Sequence, residues 1–486
     1  MLTNPTKLPK FEPKHKPFAH QVEALDQSKD EKYHALLMEM GLGKSKVTID
    51  NMVYLFLKQE IDGVLITAPK SAYLNWFTDE IPAHMPDWMP YRIAYWDSGW
   101  STLERRIAEN LLTPKDDVLD IFLINIEALT LDRAVAFAEQ FVKMHYTMCV
   151  VDESTCIKNH KAKRTKAITR IGWWCEYRRI LSGAPLSNGP LDIFAQSEFL
   201  QQGLLGFTSF QSFKCYHAST RVITLGTRRY EKIEKYLCLD ELKEKISKFS
   251  YRKTKVECLD LPEKIFETRY IQHTDEQAQI YEQLKEEAMV EFSQKSMISS
   301  TSALTTLMKL HQINCGHVHD DAGSLVSIPN RRISTLMEII EEIGYDQKVI
   351  IWAHFKEDIR QICRTLSEEF GEDSVVHYYG DTTNEQRNEH RLRFNTDPKC
   401  KYFVSNVTGS KALTLIQAAY AIYYSYSYSL ETWLQSQDRN HRIGQTRNVT
   451  YISIVIPKTV DEYVMKSLTS KKNIADEVLD NWRLMF

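Results

Sequence analysis

The stretch Leu36-Leu37-Met38-Glu39-Met40-Gly41-Leu42-Gly43-Lys44-Ser45 restricts this chain more than any other. Apolar residues lead into it, as a buried strand would. Two glycines open a turn, a lysine and a hydroxyl follow, and Val47, Ile49 and Val53 set a helix start. A strand, a glycine loop and a helix N-terminus together make a phosphate cradle. Glycines let backbone N–H groups approach phosphate oxygens, and the helix end adds positive potential. In such a loop Lys44 reaches the β- and γ-phosphates and Ser45 ligates Mg²⁺. The strict pattern has glycine where Met38 stands, so on this stretch alone an ordinary Gly-rich turn is the alternative.

The flanking segments supply a sheet to carry the loop. Phe18-Ala19-His20-Gln21 begins a helix, and Gln21 has a carboxamide able to pair with both edges of adenine. Gly63 to Ala68, Ile121 to Asn125, Met148 to Val151 and Arg179 to Pro185 read as strands, the first three largely continuous apolar runs, with helical stretches between them. Strands alternating with helices imply a parallel sheet, in which ligands sit at the carboxyl ends of the strands. Lys70-Ser71, Asn125, Asp152-Glu153 and Ser182-Gly183 all lie at such ends. Asp152 and Glu153 carry the strongest chemistry. The first suits Mg²⁺ and the second suits polarising a water for attack.

Bulk properties narrow the class. A chain of 486 residues has room for several domains, and 43% apolar residues suit a globular protein. The formal net charge of −3 gives no global basic signature, so any nucleic-acid contact is local. Nine cysteines without a Cys-x-x-Cys pair argue for a reducing compartment. No leader follows Met1 and no apolar run approaches about 20 residues, so the expectation is a soluble cytoplasmic protein without a membrane role.

Residues 1–16 read as a loose arm and 17–205 as a first lobe. Residues 206–330 have little strand periodicity and read as a helical connector. Within it the basic cluster Tyr251-Arg252-Lys253-Thr254-Lys255 suits either a phosphate contact or a solvated linker. His311, Cys315, His317 and His319 lack structural zinc spacing and read as incidental histidines at a helix end. A second alternation fills 331–486, with strands near Val349, Val375, Tyr402, Ala419 and Val449, and no second glycine loop. The Tyr423–Tyr428 alternation reads as strand packing. Arg439 and Arg442, three apart, are expected on one helix face, where two guanidiniums suit a γ-phosphate.

Taken in order, these segments resemble the Swi/Snf-like branch of the superfamily-two helicases, in a minimal phage- or bacterial-type form. The matches are Met40 to Ser45 (motif I), Ala68-Pro69-Lys70-Ser71 with Asn75-Trp76 (Ia), Asp152-Glu153-Ser154 (II), Ser182 to Asn188 (III) and Asp438-Arg439-Asn440-His441-Arg442-Ile443-Gly444-Gln445 (VI). Two motifs depart. Ser154-Thr155 stands where the branch usually has Ala or Gly, then His, and motif V reads Gly409-Ser410-Lys411-Ala412-Leu413-Thr414-Leu415.

The resemblance implies an α/β fold of two tandem RecA-like parallel-sheet lobes with a short helical connector insertion. It implies ATP and Mg²⁺ as cofactors, with ATP on Gln21, Met40, Gly41, Leu42, Gly43, Lys44, Ser45 and Gln435. Ser45 and Asp152 are expected on Mg²⁺, and Lys44, Asp152, Glu153, Arg439 and Arg442 in catalysis. Duplex or branched DNA is the expected partner, touched by Lys70, Ser71, Asn125, His354 and Ser410, with a recruiting protein unspecified. The implied activity is DNA-dependent ATP hydrolysis with translocation, serving branch migration, fork remodelling or protein displacement in replication, recombination or repair. A strand-separating helicase, for which the sequence presents no obvious wedge, and an ATP-gated binding module are the alternatives.

Overall fold

In a computed structural model, which describes residues 11–70, 72–186, 189–225, 228–294, 300–319, 323–406 and 413–469, the run before the glycine loop is strand β1 (Tyr33–Met38). Helix α1 (Ala19–Ser28) precedes it and α2 (Lys44–Leu57) follows it. The chain divides into two units, Met1–Val222 with Glu231–Asp260, and Ile223–Tyr230 with Leu261–Phe486.

The first unit is built on β1, β2 (Gly63–Ala68), β3 (Tyr91–Tyr95), β4 (Leu119–Asn125), β5 (Thr147–Asp152) and β6 (Tyr177–Leu181). A hairpin, β7 (Ala218–Leu225) and β8 (Arg228–Tyr236), forms a two-stranded sheet of its own, with Ile223–Tyr230 of it grouped in the second unit. Strand β9 (Ser250–Lys253) returns to the main sheet, whose order is β3-β4-β2-β5-β6-β1-β9. Every pairing in it is parallel. The sheet is covered on both faces, which is why its strands read as continuous apolar runs. Leu36 and Met38 face one core with Val47, Met52 and Val53 of α2, while Ala35 and Leu37 face the other with Ile168, Ile171 and Phe199.

The second unit has a parallel sheet of order β10-β17-β16-β13-β15-β14. Its strands are β10 (Lys264–Tyr270), β13 (Val349–Trp352), β14 (Val375–Tyr378), β15 (Tyr402–Ser405), β16 (Tyr420–Tyr423) and β17 (Val449–Val455). A small antiparallel pair, β11 (His317–His319) and β12 (Leu325–Ser327), lies outside it. Ile350 and Trp352 serve one core, Val349 and Ile351 the other. The guanidinium of Arg332 and the carboxylate of Asp461, both fully buried, form an ion pair. Arg332 also donates through Nε to the Asn314 carbonyl at 2.8 Å and through Nη1 to the Ile454 carbonyl at 3.1 Å. That buried charge is matched by hydrogen bonds on each side, as a buried pair requires.

The expected tandem parallel-sheet α/β architecture is present, but 206–330 is not a purely helical connector. It contributes the hairpin, then β9 to the first sheet and β10 to the second. The basic cluster is therefore no solvated linker. Tyr251, Arg252 and Lys253 pair with Leu36, Leu37 and Met38 beside the glycine loop. Among the described residues, no helix is long and apolar enough to cross a membrane.

Candidate nucleotide and nucleic-acid site

The glycine loop is held from two sides. Gly43 caps α2 in the left-handed region, φ 81°, where a side chain is strained. A Cβ there would also fall 2.2 Å from Gln21 Nε2. Gln21 Nε2 donates to the Leu42 carbonyl at 3.1 Å, and its Oε1 accepts from the Phe18 N–H at 3.0 Å. His20 Nε2 lies 3.0 Å from the same Leu42 carbonyl. An amide has two N–H bonds and two lone-pair sites, so these bonds leave one of each on Gln21. On the other side, the Glu39 N–H donates to the Lys253 carbonyl at 2.9 Å, and Glu39 Oε2 accepts from the Lys255 N–H at 2.8 Å.

Lys44 opens α2, and its ammonium donates to the Met38 carbonyl at 2.9 Å. Asp152 ends β5 and Glu153 follows it directly. The Trp76 indole N–H donates to Asp152 Oδ2 at 3.0 Å, and the Glu153 N–H donates to Asp152 Oδ1 at 2.9 Å. Enclosure pushes the Asp152 carboxyl above its ordinary range, while the Trp76 indole, the Lys44 ammonium and the Glu153 N–H hold it back. Glu153 itself has φ 49° and ψ 57°, left-handed for a residue with a Cβ. Strain of this kind persists where surrounding structure fixes it, and it clusters at functional sites.

The turn after Glu153 is tied to the loop after β6. Ser154 Oγ donates to Gln196 Oε1 at 2.6 Å, and Gln196 Nε2 donates to the carbonyls of Pro185 and Asp192 at 2.8 Å each. Ser154 and Gln196 are both fully buried. Gly183 lies against the glycine loop, since a Cβ on it would stand 3.1 Å from Met40 Cγ. Ser187 and Asn188 lie outside the described residues.

These residues fit a nucleotide phosphate with Mg²⁺. A left-handed glycine cap, the Lys44 ammonium, the Ser45 hydroxyl on the first turn of α2 and the Asp152 carboxylate share the carboxyl edge of one sheet. Bound Mg²⁺ would supply charge neutralisation at the phosphate oxygens.

The two loops expected to meet nucleic acid in this unit are neighbours, because Ala68 pairs with Asn125 across β2 and β4. The Lys70 N–H donates to Glu127 Oε2 at 3.0 Å, and Asn125 Oδ1 accepts from the Ala128 N–H at 2.9 Å. Lys70 is exposed, and Ser71 lies outside the described residues.

In the second unit, the helix Leu430–Gln437 stops before the arginine pair. Arg439 and Arg442 therefore stand in the turns beyond it rather than on one helix face. Tertiary hydrogen bonds hold those turns. Asn440 Nδ2 donates to the Ala418 carbonyl at 3.3 Å, and the Tyr451 hydroxyl donates to Asn440 Oδ1 at 3.1 Å. Gln445 Nε2 donates to the Ile416 carbonyl at 3.0 Å, and His441 Nε2 lies 2.8 Å from the Pro262 carbonyl. Arg439 is buried, its Nε donating to the Gln435 carbonyl at 3.1 Å, whereas Arg442 is half-buried. The Gln435 side chain donates to Glu431 Oε1 at 3.1 Å.

His354 follows β13, and its N–H donates to Ser425 Oγ at 2.7 Å. Burial holds its imidazole down to about 4, so at neutral pH it brings hydrogen bonding and no charge. It lines a small pocket with Asn406, Ser427 and Trp433. Ser410 lies outside the described residues. His311 and His317 are buried: His311 Nδ1 is 2.7 Å from the Tyr428 hydroxyl, and His317 Nδ1 is 3.4 Å from Asp358. Among the described residues, no group of three His, Cys, Asp or Glu side chains is placed to hold a metal. Tyr423, Tyr424 and Tyr426 are buried in the cores, so the alternation does pack, but the strand ends at Tyr423 and the rest packs from the segment beyond it.

Residues 22–319 match the SNF2-related domain, and residues 331–444 match the helicase conserved C-terminal domain. This chain belongs to the SNF2 family. Among its relatives, an uncharacterized ATP-dependent helicase of Mycoplasma genitalium, MG018, is 26% identical over 446 residues, covering 91% of this chain and 40% of that protein. The putative ATP-dependent helicase/translocase YwqA of Bacillus subtilis is 26% identical over 462 residues, covering 91% of this chain and 46% of YwqA. The SWI/SNF chromatin-remodeling complex subunit snf22 of Schizosaccharomyces pombe is 25% identical over 464 residues, covering 91% of this chain and 26% of snf22. Among solved structures, the Sulfolobus solfataricus SWI2/SNF2 ATPase core in complex with dsDNA is 25% identical, with a TM-score of 0.43, covering 99% of this chain and 97% of that one. The chain thus spans less than half the length of these curated SNF2-family relatives.

Three features of this SNF2-family site are not evident from sequence. Trp76 belongs to a recognised motif, but nothing in the sequence assigns its N–H to Asp152. A buried indole needs an acceptor, and that need is the only signal. Gln196 sits in an apolar helix, Ile193–Leu200, where a lone glutamine already suggests a buried partner. Strand β9 is too short and basic to announce itself as sheet.

Proposed function

We propose that this chain hydrolyses ATP and uses the cycle to move along duplex DNA. The observation that carries the reading is the grouping of Lys44, Asp152 and the strained Glu153 along the carboxyl edge of the first sheet. In this reading the loop from Met40 to Gly43 cradles the phosphates, Gln21 meets adenine, and Ser45 and Asp152 hold Mg²⁺. Glu153 orients and deprotonates the attacking water, and Trp76 keeps Asp152 aimed. Arg439 and Arg442 stabilise charge on the γ-phosphate, and Gln435 belongs to the same nucleotide set. Lys70, Ser71, Asn125, His354 and Ser410 touch the DNA backbone, so binding is sequence-tolerant and salt-sensitive.

Family membership and the relatives' printed descriptions as ATP-dependent helicases or translocases support this reading. Branch migration, fork remodelling and protein displacement are the tasks such a motor suits. The test is the steady-state ATPase rate at low salt without nucleic acid, then with single strands, linear duplex, a four-way junction and duplex RNA. Strong stimulation by duplex DNA is expected, greatest with the junction. Stimulation by single strands alone overturns translocation in favour of unwinding, and a flat response favours an ATP-gated binding module.

A further inference from the structure

The β7–β8 hairpin has no place in either parallel sheet. Strands of 8 and 9 residues make a ribbon roughly 26 Å long. A lone two-stranded ribbon is marginal in water unless something covers or anchors it. This one is anchored at its base. The Leu237 N–H donates to the His217 carbonyl at 2.8 Å, and the fully buried His217 ring packs among Phe207, Phe213 and Tyr216. Beyond the base, residues 219–222, 234 and 235 are exposed, Val222 among them.

Its charge runs against that of the chain. Between Ala218 and Tyr236 the sequence carries Arg221, Arg228, Arg229, Lys232 and Lys235 against Glu231 and Glu234, in a chain of net charge −3. Glu231 is already paired with Lys214, outside the hairpin. Arg221 and Lys235 stand among its exposed residues, and a hairpin whose sequence carries this excess of positive charge suits a polyanion; the major groove of a duplex admits a two-stranded ribbon.

The base also touches the nucleotide side of the unit. A Cβ on Gly189 would lie 2.4 Å from the Tyr236 hydroxyl, so Tyr236 stands directly against the loop that follows β6. That loop carries Gly183, against Met40, and Pro185, bonded to Gln196.

Resting on the translocase reading, we propose that the β7–β8 hairpin is a duplex-DNA-binding ribbon that grips the phosphate backbone and is seated on the loop after β6. The test is fluorescence anisotropy of the full chain on a labelled blunt duplex and a labelled fork, across a salt series. The charge reversal Arg221→Glu with Lys235→Glu is expected to weaken duplex binding at least tenfold at low salt. It should also lower the slope of log affinity against log salt by about 2, since each phosphate contact contributes about 0.9. The charge-conserving exchange Arg221→Lys with Lys235→Arg should bind as the parent does. A second variant, with 219–235 replaced by a short Gly-Ser turn, should lose at least as much affinity. Thermal midpoints matching the parent confirm that each variant folds.

Variants that bind the duplex as the parent does, with the same salt slope, overturn the inference and leave the translocase reading standing. A loss confined to the fork also overturns it, in favour of a strand-separating wedge. A parent chain that binds no duplex overturns the reading and the inference together.

Discussion

The indole N–H of Trp76 donates to Asp152 Oδ2 at 3.0 Å, from a π-helical turn spanning Trp76–Glu80. Such turns widen the helix and often mark functional positions. Trp76 is almost fully buried, so its bond to the carboxylate is shielded from water. Trp76→Phe keeps the ring and removes the donor. A hydrogen bond to a charged group is worth about 1.5–3 kcal/mol, so kcat/KM for ATP should fall roughly 10- to 100-fold, with a raised Mg²⁺ requirement. ATPase assays over a Mg²⁺ series read this out, and activity within twofold of the parent removes Trp76 from the site.

Glu153 combines strain with chemistry. Glu153→Gln should lower turnover by about 100-fold or more while ATP still binds, as loss of a general base does. Unchanged turnover would show that another group activates the water. Glu153→Gly should be equally inactive yet up to about 1 kcal/mol more stable, because glycine adopts the left-handed conformation without a penalty. Thermal unfolding beside single-turnover hydrolysis separates the two effects.

Ser154 and Gln196 should behave as a unit. Ser154→Ala leaves Gln196 Oε1 without its buried donor, at about 1–3 kcal/mol. Adding Gln196→Leu should recover part of that loss, giving a coupling energy of about 0.5–3 kcal/mol in a double-mutant cycle. Strict additivity would mean that the 2.6 Å contact contributes nothing.

Stability should carry an unusual pH signature from Asp358. Burial pushes its carboxyl up to about 7, against the lowering effects of the Ser425 hydroxyl, Arg332 and Cys315 and with Glu357 raising it further. The folded chain then keeps a proton that the unfolded chain releases near 4. This group's contribution is therefore present below about 4 and lost as pH rises toward 7. The neighbouring His317 and His354, both held down to about 4, act oppositely, as does His311, held well below its ordinary value. They stay neutral in the folded chain, so their contribution is lost as pH falls from about 6.5 toward 4. Asp358→Asn removes only the first effect. Its stability relative to the parent should rise steadily between pH 4 and 7, by up to about 4 kcal/mol. Midpoints measured at several pH values test this, and a constant offset contradicts it.

The legible parts of the chain were those buried on two faces. The strands ending at Met38, Ala68, Asn125, Asp152 and Leu181 bury both faces, so continuous apolar runs located most of them, and their carboxyl ends are where the candidate site residues were sought. Strand β10 is mostly exposed and β9 is rich in Arg and Lys, so neither displayed the period or the apolar content that marks a strand. The hairpin lies outside both main sheets, and its charges concealed it. The spacing of Arg439 and Arg442 suggested a shared helix face. The chain leaves the helix at Gln437 because Asn440, His441 and Gln445 bond to distant backbone, a preference that local spacing does not encode.

That anchoring of the segment carrying Arg439 and Arg442 reaches beyond its own geometry. Gly444 has φ 97°, and a Cβ on it would fall 2.9 Å from Ile416 Cδ1. A saturation library scored for function should therefore show intolerance at Asn440, Gly444, Gln445 and Tyr451, side chains with no reactive group, as severe as at the arginines they place. Read blind, such a map would enlarge the apparent active site by a shell of residues whose whole contribution is carpentry.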